Sequence, residues 1–268
     1  MKVRNLSLLL LLTVGCSTNL PNPQLLDRLR VLAIVTDTPE VLPGAAVSLQ
    51  LLVSDVRGGG RALSYTAEAC TDPGLAYGVE PSCDHDAAKQ TLASTAIALT
   101  PPQYTDLIPA FSVAVPSDLP DPFNGANYLV LVTVTSSDGE DTSAYRRIRV
   151  SGATKTPKNQ NPSLTGFAAE DGITPIATLP TVQTKLRATP SPTATETYSY
   201  LKPDGSFETR TENTTLRWYA STGGLDANIL TPTSPVEFTP SSNLNYAPFI
   251  ITIISDERGG TSFLRLDP

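Results

Sequence analysis

Few residues in this chain have types and spacing that could do chemistry. The only histidine, His85, sits between Asp84 and Asp86 in a polar run. A Ser–His–Asp nucleophile system would have to recruit it. No Gly-x-Ser-x-Gly elbow occurs, and no buried strand flanks His85 to hold the imidazole. An exposed loop histidine is the simpler expectation. Asp and Glu gather in turns, where they cap and solvate, whereas a glycosidase needs them in facing pairs. Asp138-Gly139-Glu140-Asp141 puts several oxygens in one short loop, the donor type that suits calcium. It lacks EF-hand spacing, and an ordinary acidic turn is the simpler expectation. Gly58-Gly59-Gly60 and Gly259-Gly260 lead into no helix carrying Lys-Ser or Lys-Thr, so they read as hairpin turns and not phosphate loops. The expectation is no catalytic residue, no cofactor and no metal site.

The cysteines say more. The chain has three, an odd count that usually leaves a spare thiol in an exported protein. Cys16 ends a segment that begins with the basic Lys2 and Arg4, runs through the apolar stretch Leu6 to Leu12 and closes on Thr13-Val14-Gly15-Cys16. A basic start, a short apolar core and a small residue before the cut mark a secretory signal peptide. The core is well short of the ~20 residues that span a bilayer as a helix. Thr13 to Cys16 resembles the lipobox of bacterial lipoproteins, in which the Cys becomes the lipidated first residue of the mature chain. That family usually has Leu where this chain has Thr13. The resemblance implies cleavage after Gly15, lipidation of Cys16 and attachment of the protein to a membrane of the cell envelope. Ser17 follows where Asp would mark inner-membrane retention, which favours the outer membrane. Cys70 and Cys83 remain to close a short loop rich in Asp, Pro and Gly. An oxidising compartment allows their disulfide, worth about 3 kcal/mol for a loop of this size. The alternative is a metal pair with Asp84, His85 and Asp86, but no second Cys/His pair completes a structural zinc site.

Composition points to the scaffold that must position these residues. The 24 prolines are nearly twice the ~5% norm; with abundant Thr, Ser and Val they oppose long helices and favour short strands. The net charge is −7 and becomes more negative once Lys2 and Arg4 are removed. An acidic surface without a basic cluster argues against nucleic-acid binding, which needs cations to neutralise phosphate.

Strands are predicted over 29–35, 47–54, 62–70, 110–115, 128–135 and 144–150. After a break they resume over 164–168, 182–188, 195–201, 207–212, 215–220, 236–239, 249–255 and 261–266. Tyr128, Val130, Val132 and Val134 share one face, with Leu129 and Leu131 on the other, as in a strand buried on both sides. Ile148 and Val150 alternate with Arg147 and Arg149, as in a half-exposed strand. Asp138-Gly139 marks the hairpin between these two. Ser151 to Pro162 lacks large apolar residues and reads as an interdomain linker. Lys202-Pro203-Asp204-Gly205 turns between two polar strands, so 195–212 is expected to be an exposed ribbon. Tyr198, Tyr200 and Phe207 on it are the candidate ligand contacts. Leu216, Trp218 and Ala220 share a core-facing side, and Phe249, Ile251 and Ile253 are expected in the same core.

Each half has short strands, an aromatic mid-strand residue (Tyr65, Trp218) and a closing hairpin with an Asp/Gly turn. This resembles the tandem Ig-like and PKD-like modules of bacterial cell-surface lipoproteins. The resemblance implies an all-β chain of two tandem immunoglobulin-like β-sandwiches: signal 1–15, tether 16–26, first domain 27–151, linker 152–162 and second domain 163–268. The implied role is a non-catalytic structural, adhesion or protein-binding one. It would be held to the membrane by the lipid anchor, with an envelope protein or a glycan as partner and no nucleic acid. A carbohydrate-binding surface module and a hydrolase with dispersed carboxylates are the alternatives.

Overall fold

The computed structural model describes residues 22–74, 79–118, 121, 123–242 and 245–268. The signal segment, Cys16 and most of the expected tether lie outside the described residues. Within them the chain is all-β apart from one 3₁₀ turn, Val56–Gly58. No helix among the described residues is long and apolar enough to cross a membrane.

The first half contains β1 (Arg30–Thr36), β2 (Glu40–Val41), β3 (Ala46–Ser54), β4 (Leu63–Thr71), β5 (Gln90–Ile97), β6 (Thr105–Ala114), β7 (Ala126–Ser136) and β8 (Asp141–Val150). One sheet runs β1-β3-β6 and the other β2-β8-β7-β4-β5. The second half contains β9 (Leu164–Ala169), β10 (Pro175–Ile176), β11 (Thr184–Pro190), β12 (Thr197–Leu201), β13 (Phe207–Thr211), β14 (Thr214–Ala220), β15 (Gly224–Leu225), β16 (Ile229–Leu230), β17 (Val236–Thr239), β18 (Ile250–Asp256) and β19 (Thr261–Leu266). Its sheets run β10-β9-β11-β17-β15 and β16-β14-β18-β19, while β12 and β13 pair only with each other. In each half two early strands and a later one form one sheet, and a middle strand joins the final hairpin in the other. That is the strand order of an immunoglobulin-like sandwich. β5 escaped the sequence pattern because Gln90-Thr91-Leu92-Ala93-Ser94-Thr95-Ala96-Ile97 is an edge strand with little apolar alternation.

Side-chain alternation explains both cores. Tyr128, Val130, Val132 and Val134 of β7 face inward with Val47, Leu49, Leu51 and Val53 of β3. Each fully buried side chain of this kind contributes roughly 1.5–3 kcal/mol. On the outer face of β7, Leu129 packs on Cys70 and Cys83. These form a disulfide with S–S 2.06 Å and Cα–Cα 5.6 Å. The bridge therefore covers an apolar strand face that would otherwise meet water. In the second half Leu216, Trp218 and Ala220 of β14 pack with Phe167, Leu186, Phe238, Ile250 and Ile254.

Two expectations need correction here. Phe249, Ile251 and Ile253 do not belong to the second core. With Tyr219 they pack against Leu26, Leu32, Leu52 and Val56 in a third apolar cluster between the sandwiches. β18 is apolar on both faces because each face meets a different core. Nor is the chain free tether up to residue 26. Leu25 bridges to Ala220, the Leu26 amide donates to the Ala220 carbonyl at 2.9 Å, and Leu26 is fully buried. Residues 152–162 connect the halves without hanging free of either. Lys155 and Asn159 are buried. The Asn159 amide donates to Glu40 at 2.9 Å, and the Asn161 side chain donates to the Thr36 carbonyl at 2.7 Å. The Asn161 oxygen accepts from the Thr261 amide at 2.9 Å. Gly260 is required here, since a Cβ on it would lie 2.7 Å from the Gln160 carbonyl. The two sandwiches are fused along this seam.

Candidate functional site

A crevice opens where the seam meets the ribbon. Its floor is the outward face of β7 and β8, with Asn127, Arg147 and Arg149; the ribbon roofs it with Tyr198, Tyr200 and Arg210. Lys155 closes one side, and the β18–β19 turn closes another with Glu257, Arg258 and Gly259. The cavity measures about 280 Å³.

The ribbon is not a free flap. A lone two-stranded hairpin is marginal in water, and this one leans back onto the first sandwich. Asn124 donates to the Leu201 carbonyl at 2.7 Å and accepts from its amide at 2.9 Å. Phe207, 62% exposed, meets Phe123 edge to face at 5.0 Å between centroids. The expectation of an exposed ribbon therefore holds for Phe207 but not for the tyrosines. Tyr198 and Tyr200 are half-buried, and cations take their ring faces. Arg210 lies 3.6 Å over Tyr200, while Arg258 and Lys155 lie 4.4 and 5.1 Å from the Tyr198 centroid. The Tyr198 hydroxyl donates to Glu257 at 3.2 Å. Burial and that carboxylate push the Tyr198 phenol up.

Behind the crevice lies a buried ionic cluster. Arg258 pairs with Glu40, with Glu212 at 3.0 Å and with Glu196 at 3.6 Å. Only 1% of the Glu40 and Glu212 side chains is exposed. One guanidinium cannot neutralise three such carboxylates, so their proton affinities diverge. Burial raises Glu40, but hydrogen bonds from Ser151 and the Asn159 amide, with Arg258, more than offset it and hold Glu40 below its ordinary value. Burial dominates at Glu212, which is pushed up to about 7.

The cations on the floor and side differ from Arg258. Arg149 stands opposite Asn127 in the β7–β8 ladder and donates to its oxygen at 3.1 Å. Lys155 donates to the Ser199 carbonyl. Burial pushes the pKa of both down; Arg258 lowers each further, and Glu40 opposes this.

The other sequence candidates fall elsewhere. His85 is exposed, with Nε2 3.1 Å from the Thr71 carbonyl. Asp84 binds Ser82 and Lys89, and Asp86 accepts from the Thr71 and Ala88 amides. Those carboxylates brace the disulfide loop. In the acidic turn, Arg61 occupies the place a cation would take. It binds Asp55 at 2.8 Å, Asp138 at 2.7 Å and also Glu140, while Asp141 is exposed. No cluster of three or more metal-ligating side chains occurs among the described residues. The glycine pairs sit in turns, with Gly59 and Gly60 at φ 61° and 87° and Gly259 at 102°.

Sequence reasoning missed the ionic cluster, Lys155 and the floor arginines as a site. One signal was present. Arg146 has the inward parity of Ile148 and Val150 in β8, an odd place for a charge. It is half-buried at the seam and donates to Thr261 at 2.8 Å, and its Nε and Nη2 have no hydrogen-bond partner among the described residues. Burial brings its pKa down to about 10.

No protein-family model matches this chain, and no curated protein matches it in sequence. Among solved structures, the sporulation control protein Spo0M of Bacillus subtilis aligns over 90% of each chain at 12% identity and a TM-score of 0.30. Murine CEACAM1b aligns over 88% of this chain and 97% of its own, at 12% identity and a TM-score of 0.23. Dimeric latent PorU of Porphyromonas gingivalis aligns over 89% of this chain but 23% of its own, at 12% identity and a TM-score of 0.25. At such scores no activity carries over.

Proposed function

We propose that this chain is an envelope lipoprotein, anchored in the outer membrane through Cys16, that works by binding a partner without catalysis. Support for the anchor is the sequence around Lys2, Arg4, Leu6–Leu12 and Gly15-Cys16. Gln24 already pairs with β14, so the lipid is linked to the folded block by a short chain. At ~3.5 Å per residue that chain reaches roughly 28 Å, which keeps the block close to the bilayer. The observation that carries the binding role is the ribbon. An insertion in the second sandwich reaches back to Asn124 and Phe123 of the first and roofs a crevice that neither sandwich forms alone.

Two experiments test this. Cys16→Ser should release the protein from membranes, whereas a wild type that fractionates as soluble protein with an unmodified Cys16 refutes the anchor. A photo-crosslinker at Glu257, on the crevice wall outside the ribbon, should give a discrete adduct in intact cells. Replacing 199–209 with a short Gly-Ser turn, which keeps Glu196 and Glu212, should abolish it. An adduct that survives the trimming contradicts the binding role of the crevice.

The other readings have less to stand on. Glycan stacking on Tyr198 and Tyr200 competes with cations already on their faces; Phe207 alone is open. Glu40 and Glu212, with pKa values driven apart, have the electrostatics of an acid–base pair. Glu212 is buried behind Arg258 and does not line the cavity. Hydrolysis of a polysaccharide lost in Glu212→Gln would favour the enzyme.

A further inference from the structure

The walls of the crevice carry five cations, Arg147, Arg149, Lys155, Arg210 and Arg258, against two carboxylates, Glu40 and Glu257. This occurs in a chain whose net charge is −7. Three of the five have counter-charges. Arg258 is held by Glu40, Glu196 and Glu212, Arg147 by Asp72, and Arg210 by the exposed Glu208. Arg149 and Lys155 have none. Among the described residues neither forms an ion pair, and each donates to a neutral oxygen. Glu40 and Asp121 act on Arg149 only at a distance, and Arg149 itself disfavours the charge on Lys155. Two desolvated cations without a counter-ion cost free energy that a bound anion would relieve.

We propose that the crevice binds a compact oxyanion, a carboxylate or phosphate group, between Arg149 and Lys155. This rests on the crevice being the binding site and adds the chemistry of what it takes. The planar fork of Arg149 suits two oxygens of one such group, with Arg210 at the rim. At about 280 Å³ the cavity sits just under the ~300–1,000 Å³ of small-molecule pockets. It has room for one acidic sugar residue or one phosphorylated end, not for a polymer. Because cations cover the tyrosine rings, recognition here runs on charge.

The test uses the purified full-length chain with sodium glucuronate, inorganic phosphate and, as neutral control, glucose. Glucuronate, phosphate or both should raise the Tm by about 2–4 °C at saturation, and glucose should not. A response to one anion alone identifies a sugar carboxylate or a phosphate as the source; a response to both assigns the oxyanion itself. Arg149→Gln should weaken calorimetric affinity by about 10- to 100-fold, while Lys185→Gln, on a distant exposed pair with Glu170, should not. If Arg149→Gln lowers the Tm of the free protein, Arg210→Glu on the ribbon gives the same readout without altering a sandwich strand. Absence of a response to both anions, or a response undiminished in both variants, overturns the proposal. A flat titration alongside an intact ribbon-dependent crosslink removes the anion and leaves the crevice as the binding site.

Discussion

Arg61 and Arg149 both lie on the first sandwich, and their surroundings are opposite. Arg61 fills an acidic turn: Asp55, Asp138 and Glu140 surround it and raise its pKa. Its donors are used up, and it ties the turn after β3 to the β7–β8 hairpin. Among the described residues the Arg149 side chain hydrogen-bonds only to Asn127, in a partly desolvated cleft, and burial lowers its pKa. A saturated arginine holds structure together. One that is buried without a counter-charge costs stability and persists where something outside the fold answers it. The acidic turn, with its calcium-like oxygens, is thus the closed cluster, and the crevice is the open one.

The largest effect should come from the seam. Arg258→Met leaves Glu40 and Glu212 buried and unpaired, and breaking such a cluster costs about 3–5 kcal/mol. Thermal unfolding should show a Tm roughly 10 °C lower; an unchanged Tm would mean the cluster is solvated and the seam loose. Next comes the disulfide. Cys70→Ser with Cys83→Ser should cost about 3 kcal/mol in urea unfolding, with Leu129 losing its cover. Stability unchanged by reductant would contradict this.

The arginines themselves then sharpen the contrast. Arg61→Ala should cost about 2 kcal/mol, because Asp55, with 2% of its side chain exposed, loses its partner. Arg149→Gln should cost nothing or stabilise slightly, since it removes a desolvated charge. If both variants lose equal stability in urea, the distinction between closed and open clusters fails. A further effect is pH-dependent. The Glu212 carboxyl is raised from 4.5 to about 7, so the folded state binds its proton more tightly than the unfolded state. Stability should therefore fall as pH rises from 4.5 through about 7. Glu212→Gln should flatten that part of a Tm-against-pH curve; a curve parallel to that of the wild type contradicts the assignment.

Local features were legible in the sequence. The alternation of β7, the Asp-Gly turn into β8, the inward Trp218 and the Cys70–Cys83 bond each depend on neighbours close along the chain. What escaped depends on residues far apart. Phe249, Ile251 and Ile253 read as one core's lining because β18 does not disclose that its second face meets Leu32 and Leu52. Lys155 and Asn159 read as linker because nothing nearby shows that Ser199 and Glu40 bury them. Tyr198 and Tyr200 read as free aromatics because the cations over them come from the ribbon's far strand, the seam and the last hairpin. The odd parity of Arg146 was the one local clue to a buried seam, and its charge is relieved only by Thr261 and the distant Asp256.

The crevice exists only if the two sandwiches, the 152–162 segment and the ribbon form one body, and differential scanning calorimetry tests that most directly. The third apolar cluster and the Glu40–Arg258 pair predict a single transition whose calorimetric and van't Hoff enthalpies agree. Arg258→Met should broaden or split it. Two well-separated transitions in the wild type, each insensitive to Arg258→Met, would show sandwiches that unfold independently and would contradict a site built at their junction.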